Sequence, residues 1–292
     1  MRNFKILLFF GIFVSGVFAG GPAVVANGLV NPSEEVTKDN TSSWLLPEVV
    51  VNGQRAPLVE EQKVGEAEQP RWTATRRFPS TRVYVIPDGE REFEFWVRPT
   101  ISTGGYVQTE FQYEMEIGLP SRFQIDLYLT MEKDGLSGPM TSGGLSWEVR
   151  YALADWGKIP FNPTLYFEYE YHNNEPDAFE AKLLLGDELV SRWHWGFNLV
   201  CERQIAGDFE QSLCLRGGLS YTVIDMNLSA GVEAEAEADS NNTQGAYQQQ
   251  YVIGPSIQWK PYKAFHIDFA YMFGIGAGSP AVKSLIVAGW EL

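Results

Sequence analysis

The chain has 292 residues, 45% of them hydrophobic and 14% aromatic, with a formal net charge of −15. That length holds one barrel-sized domain and an extension, with no second globular unit required. An acidic excess of this size disfavours nucleic acid and other polyanionic partners, so no nucleic-acid role is expected.

Residues 1–19 read as a secretory signal peptide. Arg2 and Lys5 precede an apolar run from Ile6 to Val17, and Val17-Phe18-Ala19 stands before Gly20. The run falls short of the roughly 20 residues needed to span a bilayer as a helix. No later segment reaches even that length, so any membrane crossing falls to strands. Loss of Arg2 and Lys5 with the leader takes the charge from −15 to −17.

Residues 20–90 are rich in Glu, Pro, Ser, Thr, Asn and Gly and carry no regular period, which predicts a mostly extended or disordered periplasmic arm. Two islands interrupt it. Leu46-Pro-Glu-Val-Val-Val-Asn-Gly-Gln-Arg55 resembles the TonB box of energised outer-membrane receptors. That resemblance implies a TonB-like periplasmic partner, with Glu48, Val49, Val50 and Val51 as candidate contacts, because an extended Val-rich strand can add to a sheet edge. The alternatives are a strand pairing within this protein and a segment entering the lumen as a partial plug. The second island, Thr81 to Glu90, ends in Pro87-Asp88-Gly89, a turn signal leading into the first strand.

From residue 91 onward the pattern changes to strict alternation. In Phe111-Gln-Tyr-Glu-Met-Glu-Ile117 and Phe123-Gln-Ile-Asp-Leu-Tyr-Leu129, every second side chain is apolar. One face of each strand is therefore greasy and the other polar. Twelve such strands are predicted, at 92–98, 106–119, 122–132, 143–153, 162–171, 178–186, 192–202, 211–221, 226–237, 250–260, 264–274 and 282–292. A soluble sandwich would alternate in the same way. The leader, an even strand number and connections that alternate between tight and long favour a transmembrane antiparallel up-and-down β-barrel over residues 91–292. Turns at 119–122 and 260–264 are tight, whereas 133–143 and 238–249 are predicted to be long outer loops.

Aromatic residues fall at two levels of this map. Trp156, Trp193, Trp195, Trp259, Phe265 and Trp290 mark an inner girdle, and Tyr106, Tyr171, Tyr251 and Phe273 an outer one. The last strand, with Val282, Ser284, Ile286, Ala288, Trp290 and Leu292 on one face, resembles the C-terminal assembly signal of outer-membrane proteins. It differs in closing on Leu292 rather than on an aromatic residue. The resemblance implies the barrel-assembly machinery as a partner, beside outer-membrane lipid.

If the apolar face meets lipid, the lumen is lined by Glu114 and Glu116, Asp126, Glu148 and Arg150, Glu168 and Glu170, Lys182, Arg216 and Asp268. Carboxylates dominate, which favours cations over anions. Alternatively, the bases pair with neighbouring acids and fill the lumen. Barrels of about eight strands are filled by side chains while those of 16 to 18 leave a channel, so twelve decides neither way. The row Glu233-Ala-Glu-Ala-Glu237 reads as a solvated acidic rim, with cation capture as the alternative.

Cys201 and Cys214 flank one loop, but Cys201 continues the outward phase of Trp193, Trp195, Phe197 and Leu199 whereas Cys214 faces inward. A disulfide would need a bulge to bring them together. Hydrolytic barrels need a His beside a Ser or Asp near the outer rim. Only His172, His194 and His266 are available; none sits in a His-x-Ser pair, and His266-Ile-Asp268 reads as a buried pair at the inner end. No catalytic residue, metal or cofactor is expected.

Several phrases resemble the bacterial outer-membrane barrel family named for the meta-pathway of phenol degradation: Gly89-Glu-Arg-Glu-Phe-Glu-Phe-Trp96, Glu114-Met-Glu-Ile-Gly-Leu-Pro-Ser-Arg122, Leu165-Tyr-Phe-Glu-Tyr169 and Glu180-Ala-Lys-Leu-Leu-Leu185. Membership implies an outer-membrane transporter of hydrophobic or aromatic compounds without catalytic residues. The expectation is thus a bacterial outer-membrane channel or transporter for a small solute, cation-preferring or carrying small hydrophobic compounds. The alternative is a non-conducting barrel for surface display, adhesion or envelope structure.

Overall fold

The computed structural model describes residues 57–173, 175–240 and 247–292. The TonB-box-like segment with Glu48, Val49, Val50 and Val51, and the leader, lie outside the described residues. Twelve strands form one closed antiparallel barrel. They are β1 Arg91–Ile101, β2 Val107–Leu119, β3 Phe123–Asp134, β4 Met140–Ala152, β5 Thr164–His172 and β6 Ala178–Val190. The second half comprises β7 Trp193–Gln204, β8 Gln211–Ile224, β9 Leu228–Ser240, β10 Gln248–Tyr262, β11 Phe265–Gly274 and β12 Val282–Glu291. Each pairs with its neighbour in chain order, and β12 closes on β1 with Glu291 opposite Glu92 and Trp290 opposite Phe93. Closure leaves no free sheet edge.

All twelve predicted strands are present, and their alternation has one cause. Phe123, Leu127 and Leu129 of β3 are exposed on the outside while Gln124, Asp126 and Tyr128 are buried inside. Leu145, Trp147, Phe167, Phe179, Ile253 and Ile257 continue the exposed apolar band around the barrel. Cross-strand aromatic pairs reinforce it: Phe123 stacks on Tyr151 at 4.5 Å and Phe265 meets Trp290 at 4.9 Å. Such pairs contribute a few tenths to about 1 kcal/mol each to sheet register.

Connections differ from the expected parity of lengths. The strands run further than predicted, so the expected long loops shrink to 135–139 and 241–247. Among all connections the longest is 153–163, at the end where β1 begins and β12 finishes. The reason lies in what that loop touches. Tyr84 donates from its hydroxyl to Ala154 O at 2.6 Å, and Trp156 N donates to Ala67 O at 3.0 Å, so the loop folds under the barrel onto the N-terminal segment. Trp156 is accordingly a correction: it packs edge-on against Trp72 (5.7 Å) and Tyr84 (5.2 Å) instead of joining the external girdle. Trp193, Trp259 and Trp290 are exposed on the outer wall, and Trp195 and Phe265 are half-buried there.

Both cysteines are free, Cys201 exposed and Cys214 buried, because Leu213 rather than Cys214 lies opposite Cys201. Alkylation of the denatured, unreduced protein should find two thiols; a mass two protons lower would overturn the register of β7 and β8.

Candidate functional site: a plugged acidic lumen

Residues 57–90 fill the half of the barrel at which β1 begins and β12 finishes. This overturns, for that stretch, the expectation of an unstructured arm. Its composition is polar because its partners are polar and lie within the lumen. The segment begins with Val59 N and Glu60 N donating to the carboxylate of Asp225 at 2.6 and 3.1 Å, in the turn between β8 and β9. A two-stranded ladder pairs Lys63–Val64 with Gln69–Pro70. The chain then runs inside the barrel to the predicted turn, where Glu90 N donates to Pro87 O at 3.1 Å and Gly89 takes a φ of +80°. Trp72, Phe78, Val83, Tyr84 and Val85 form a buried apolar cluster with Ala152 of β4.

The barrel wall is shaped to receive this plug. Gly186, Gly196 and Gly218 lie directly opposite one another across β6, β7 and β8. A Cβ on Gly186 would stand 2.4 Å from Val83, one on Gly196 3.0 Å from Thr81, and one on Gly218 2.5 Å from Phe78. The three glycines therefore form a groove, the usual meaning of Gly where another segment approaches a strand closely. Gly218→Val should unseat Phe78 at a cost of about 1–3 kcal/mol, the range for overpacking. The check is faster proteolysis of residues 57–90 with the barrel still resistant.

Polar contacts pin the same segment at several strands. Arg82 N donates to Asn198 Oδ1 at 2.9 Å while Asn198 Nδ2 donates to Arg82 O at 2.6 Å. Ile86 N donates to Gln124 at 2.7 Å, and Ser80 N donates to Glu233 at 2.7 Å. Glu233 and Glu235 are consequently buried, and Glu235 pairs with Arg216 and Lys283. The predicted solvated rim at 233–237 is instead part of the lumen wall.

Electrostatics set the plug's seat. Glu92, Glu116, Asp126, Glu148, Glu168, Glu180 and Glu202 stand opposite one another in one continuous cross-strand line through β1 to β7. Strands in a barrel are tilted, so a line along the hydrogen-bonding direction climbs the wall as a spiral. Like charges directly opposite are destabilising unless cations intervene. At the lower turn the plug supplies them. Arg76 donates from Nε to both oxygens of Glu94 (3.0 and 3.1 Å) and reaches Glu114 and Glu116 from Nη2 at 3.5 and 3.4 Å. Arg82 pairs with Glu114 at 3.3 Å and with Glu116. Arg150 of the wall pairs with Asp126 at 2.8 Å and with Glu148. Arg77 donates to Glu60 at 2.9 Å and to Thr222 at 3.0 Å, tying the start of the plug to β8.

Above the plug the lumen opens into a cavity of about 270 Å³. Arg76, Pro79, Ser80 and Arg82 close it toward the termini, and Glu168, Glu170, Glu180, Lys182, Glu202 and Arg216 lie on its wall. Tyr166, with Lys182 3.7 Å above its ring, and Trp96, with Arg76 4.0 Å away, supply aromatic faces. Glu114 and Arg150 are buried at its base, whereas Glu116, Asp126, Glu148 and Asp268 are buried in the wall outside its lining. The arginines of residues 76–82 were the signal missed in the sequence. Three cations within seven residues, just before an acid-lined barrel, match charge to charge.

One further juxtaposition is tertiary. His194 lies opposite Ser220 across β7 and β8, with Glu60 of the plug 3.8 Å from its Nε2. Ser220 Oγ makes no hydrogen bond and all three groups are buried, so no activated nucleophile is assembled there.

No family model and no curated protein matches the chain. Among solved structures, an outer membrane channel from Pseudomonas putida F1 is similar over 72% of this chain and 98% of that one, at 11% identity and a TM-score of 0.47. The NanC porin is similar over 69% and 100%, at 12% identity and a TM-score of 0.46. The translocator domain of the autotransporter NalP from Neisseria meningitidis is similar over 70% and 88%, at 10% identity and a TM-score of 0.44. Likeness at this level carries no statement about solute or activity.

Proposed function

We propose that the protein is a bacterial outer-membrane channel for a small solute, held shut by its own N-terminal segment. The observation that carries this reading is the plug: an acid-lined tube is filled from one end by a segment of the same chain that is held by side-chain contacts and glycine packing. An outward apolar band with aromatic residues at its rims suits lipid, and the signal-peptide pattern suits export. The end bearing the termini then faces the periplasm, and the cavity faces outward as the first site a solute meets. An energy-coupling partner gripping 46–55 would act directly upstream of the plug's first anchor at Val59.

The arrangement supports a role in transport over one in hydrolysis, since the histidines sit in structural pairs or are sealed beneath the plug. A barrel used for display is favoured only by its closed lumen. Planar-bilayer recordings of the mature protein and of a variant lacking residues 57–86 separate the two. Conductance appearing in the variant supports the channel, and silence of a folded variant overturns it.

A further inference from the structure

At the foot of the acidic spiral, one cluster differs from its neighbours in how its charge is met. Glu92 and Glu94 of β1 and His266 and Asp268 of β11 converge inside the barrel, and all four are buried. His266 Nδ1 lies 2.5 Å from Asp268 Oδ2, while Nε2 meets Glu92 and lies 3.8 Å from Glu94. Ligand atoms of Glu92, Glu94 and His266 all fall within 4.8 Å of one another.

The adjacent trio Glu94, Glu114 and Glu116 has two guanidiniums, from Arg76 and Arg82. Among the described residues no Lys or Arg forms an ion pair with Glu92 or Asp268. Glu92 Oε2 and Asp268 Oδ1 are also buried without a hydrogen bond. A neutral imidazole has one donor and one acceptor, so it cannot satisfy carboxylates on both nitrogens. An imidazolium could, but it would set a single charge against three carboxylates, of which only Glu94 meets further cations, Arg76 and Arg82, both shared with Glu114 and Glu116. Buried carboxylates left in that condition pair with a cation or bind a metal.

We infer that Glu92, Glu94 and His266 form a binding site for a borderline divalent metal ion of the Zn²⁺ class. His266 Nε2 and one oxygen from each glutamate supply the ligands, and Asp268 accepts the Nδ1 proton and holds the ring. A carboxylate on the second nitrogen of a ligating histidine is the common outer partner at such centres. One imidazole with two carboxylates suits Zn²⁺ better than Ca²⁺, which takes six to eight oxygens. Glu92 is the second residue of β1, at the mouth on the terminal side, where an ion can be taken up as β12 closes on β1. Because Glu94 also holds Arg76, the ion and the plug share a carboxylate, and the ion braces the plug's seat.

The test is a Zn²⁺ titration of the EDTA-stripped full mature barrel, with bound metal measured after desalting. One ion per barrel is expected, lost in His266→Gln and held about 10- to 100-fold more weakly in Asp268→Asn. Ca²⁺ at the same concentration should not compete. X-ray absorption on the wild-type zinc form needs no variant to fold; it should show one imidazole at about 2.0–2.1 Å with oxygen ligands. No retained zinc, an oxygen-only shell, or retention unchanged in folded His266→Gln would each overturn the site.

Discussion

Deleting residues 57–86 should convert a silent barrel into a cation-selective channel. The effect should be large because the deletion acts on space and on charge together. It empties the half of the lumen now occupied by Trp72, Phe78 and Tyr84. It also removes Arg76, Arg77 and Arg82 while leaving Glu94, Glu114 and Glu116, which pair with Arg76 and Arg82, on the wall. A lining of unneutralised carboxylates favours cations. Reversal potentials of the deletion variant under a KCl gradient should therefore take the cation sign, and should move toward zero when Glu114 and Glu116 are both changed to Gln. A deletion variant that conducts without selectivity would show that Arg150 and Lys182 already balance the wall.

Arg76→Ala should release the plug without dismantling the barrel. Removing one partner from a buried ion-pair network costs about 3–5 kcal/mol, because the carboxylates left behind are uncompensated. Here the barrel can respond by expelling the segment and admitting water, so the cost appears as plug release. Unseated plug should rise by roughly a hundred- to several-thousand-fold, on the scale of about 1.4 kcal/mol per decade. Arg76→Lys should rescue little, since an ammonium cannot reproduce the fork on Glu94. Adding Glu94→Gln to Arg76→Ala should recover part of the loss, as expected for coupled residues. Proteolysis of residues 57–90 in the folded barrel, or hydrogen exchange over 76–86, reads all four proteins. Equal protection in wild type and Arg76→Ala would place the holding force in the glycine groove instead.

The barrel and its faces were legible from the sequence because strand alternation is a local property. Phe123 to Leu129 declares which side chains face outward and which face the lumen, and closure only accepts that choice. Glu114, Glu116, Asp126, Glu148, Arg150 and Asp268 stand inside for this reason, and so does the mismatch between Cys201 and Cys214. The tertiary structure decided what fills that inside. The plug's partners are far apart in sequence: Ser80 meets Glu233 across 153 residues and Arg82 meets Asn198 across 116. No period in residues 57–90 encodes those contacts, since an irregular segment is shaped by its container. Trp156 went to the plug and not to the girdle because its loop folds beneath the barrel, which no strand phase can foretell. The acidic spiral likewise exists only once register sets Glu92, Glu116, Asp126 and Glu148 opposite one another. Alternation along one strand determines a face, whereas register between strands and the packing of a guest segment determine what that face does.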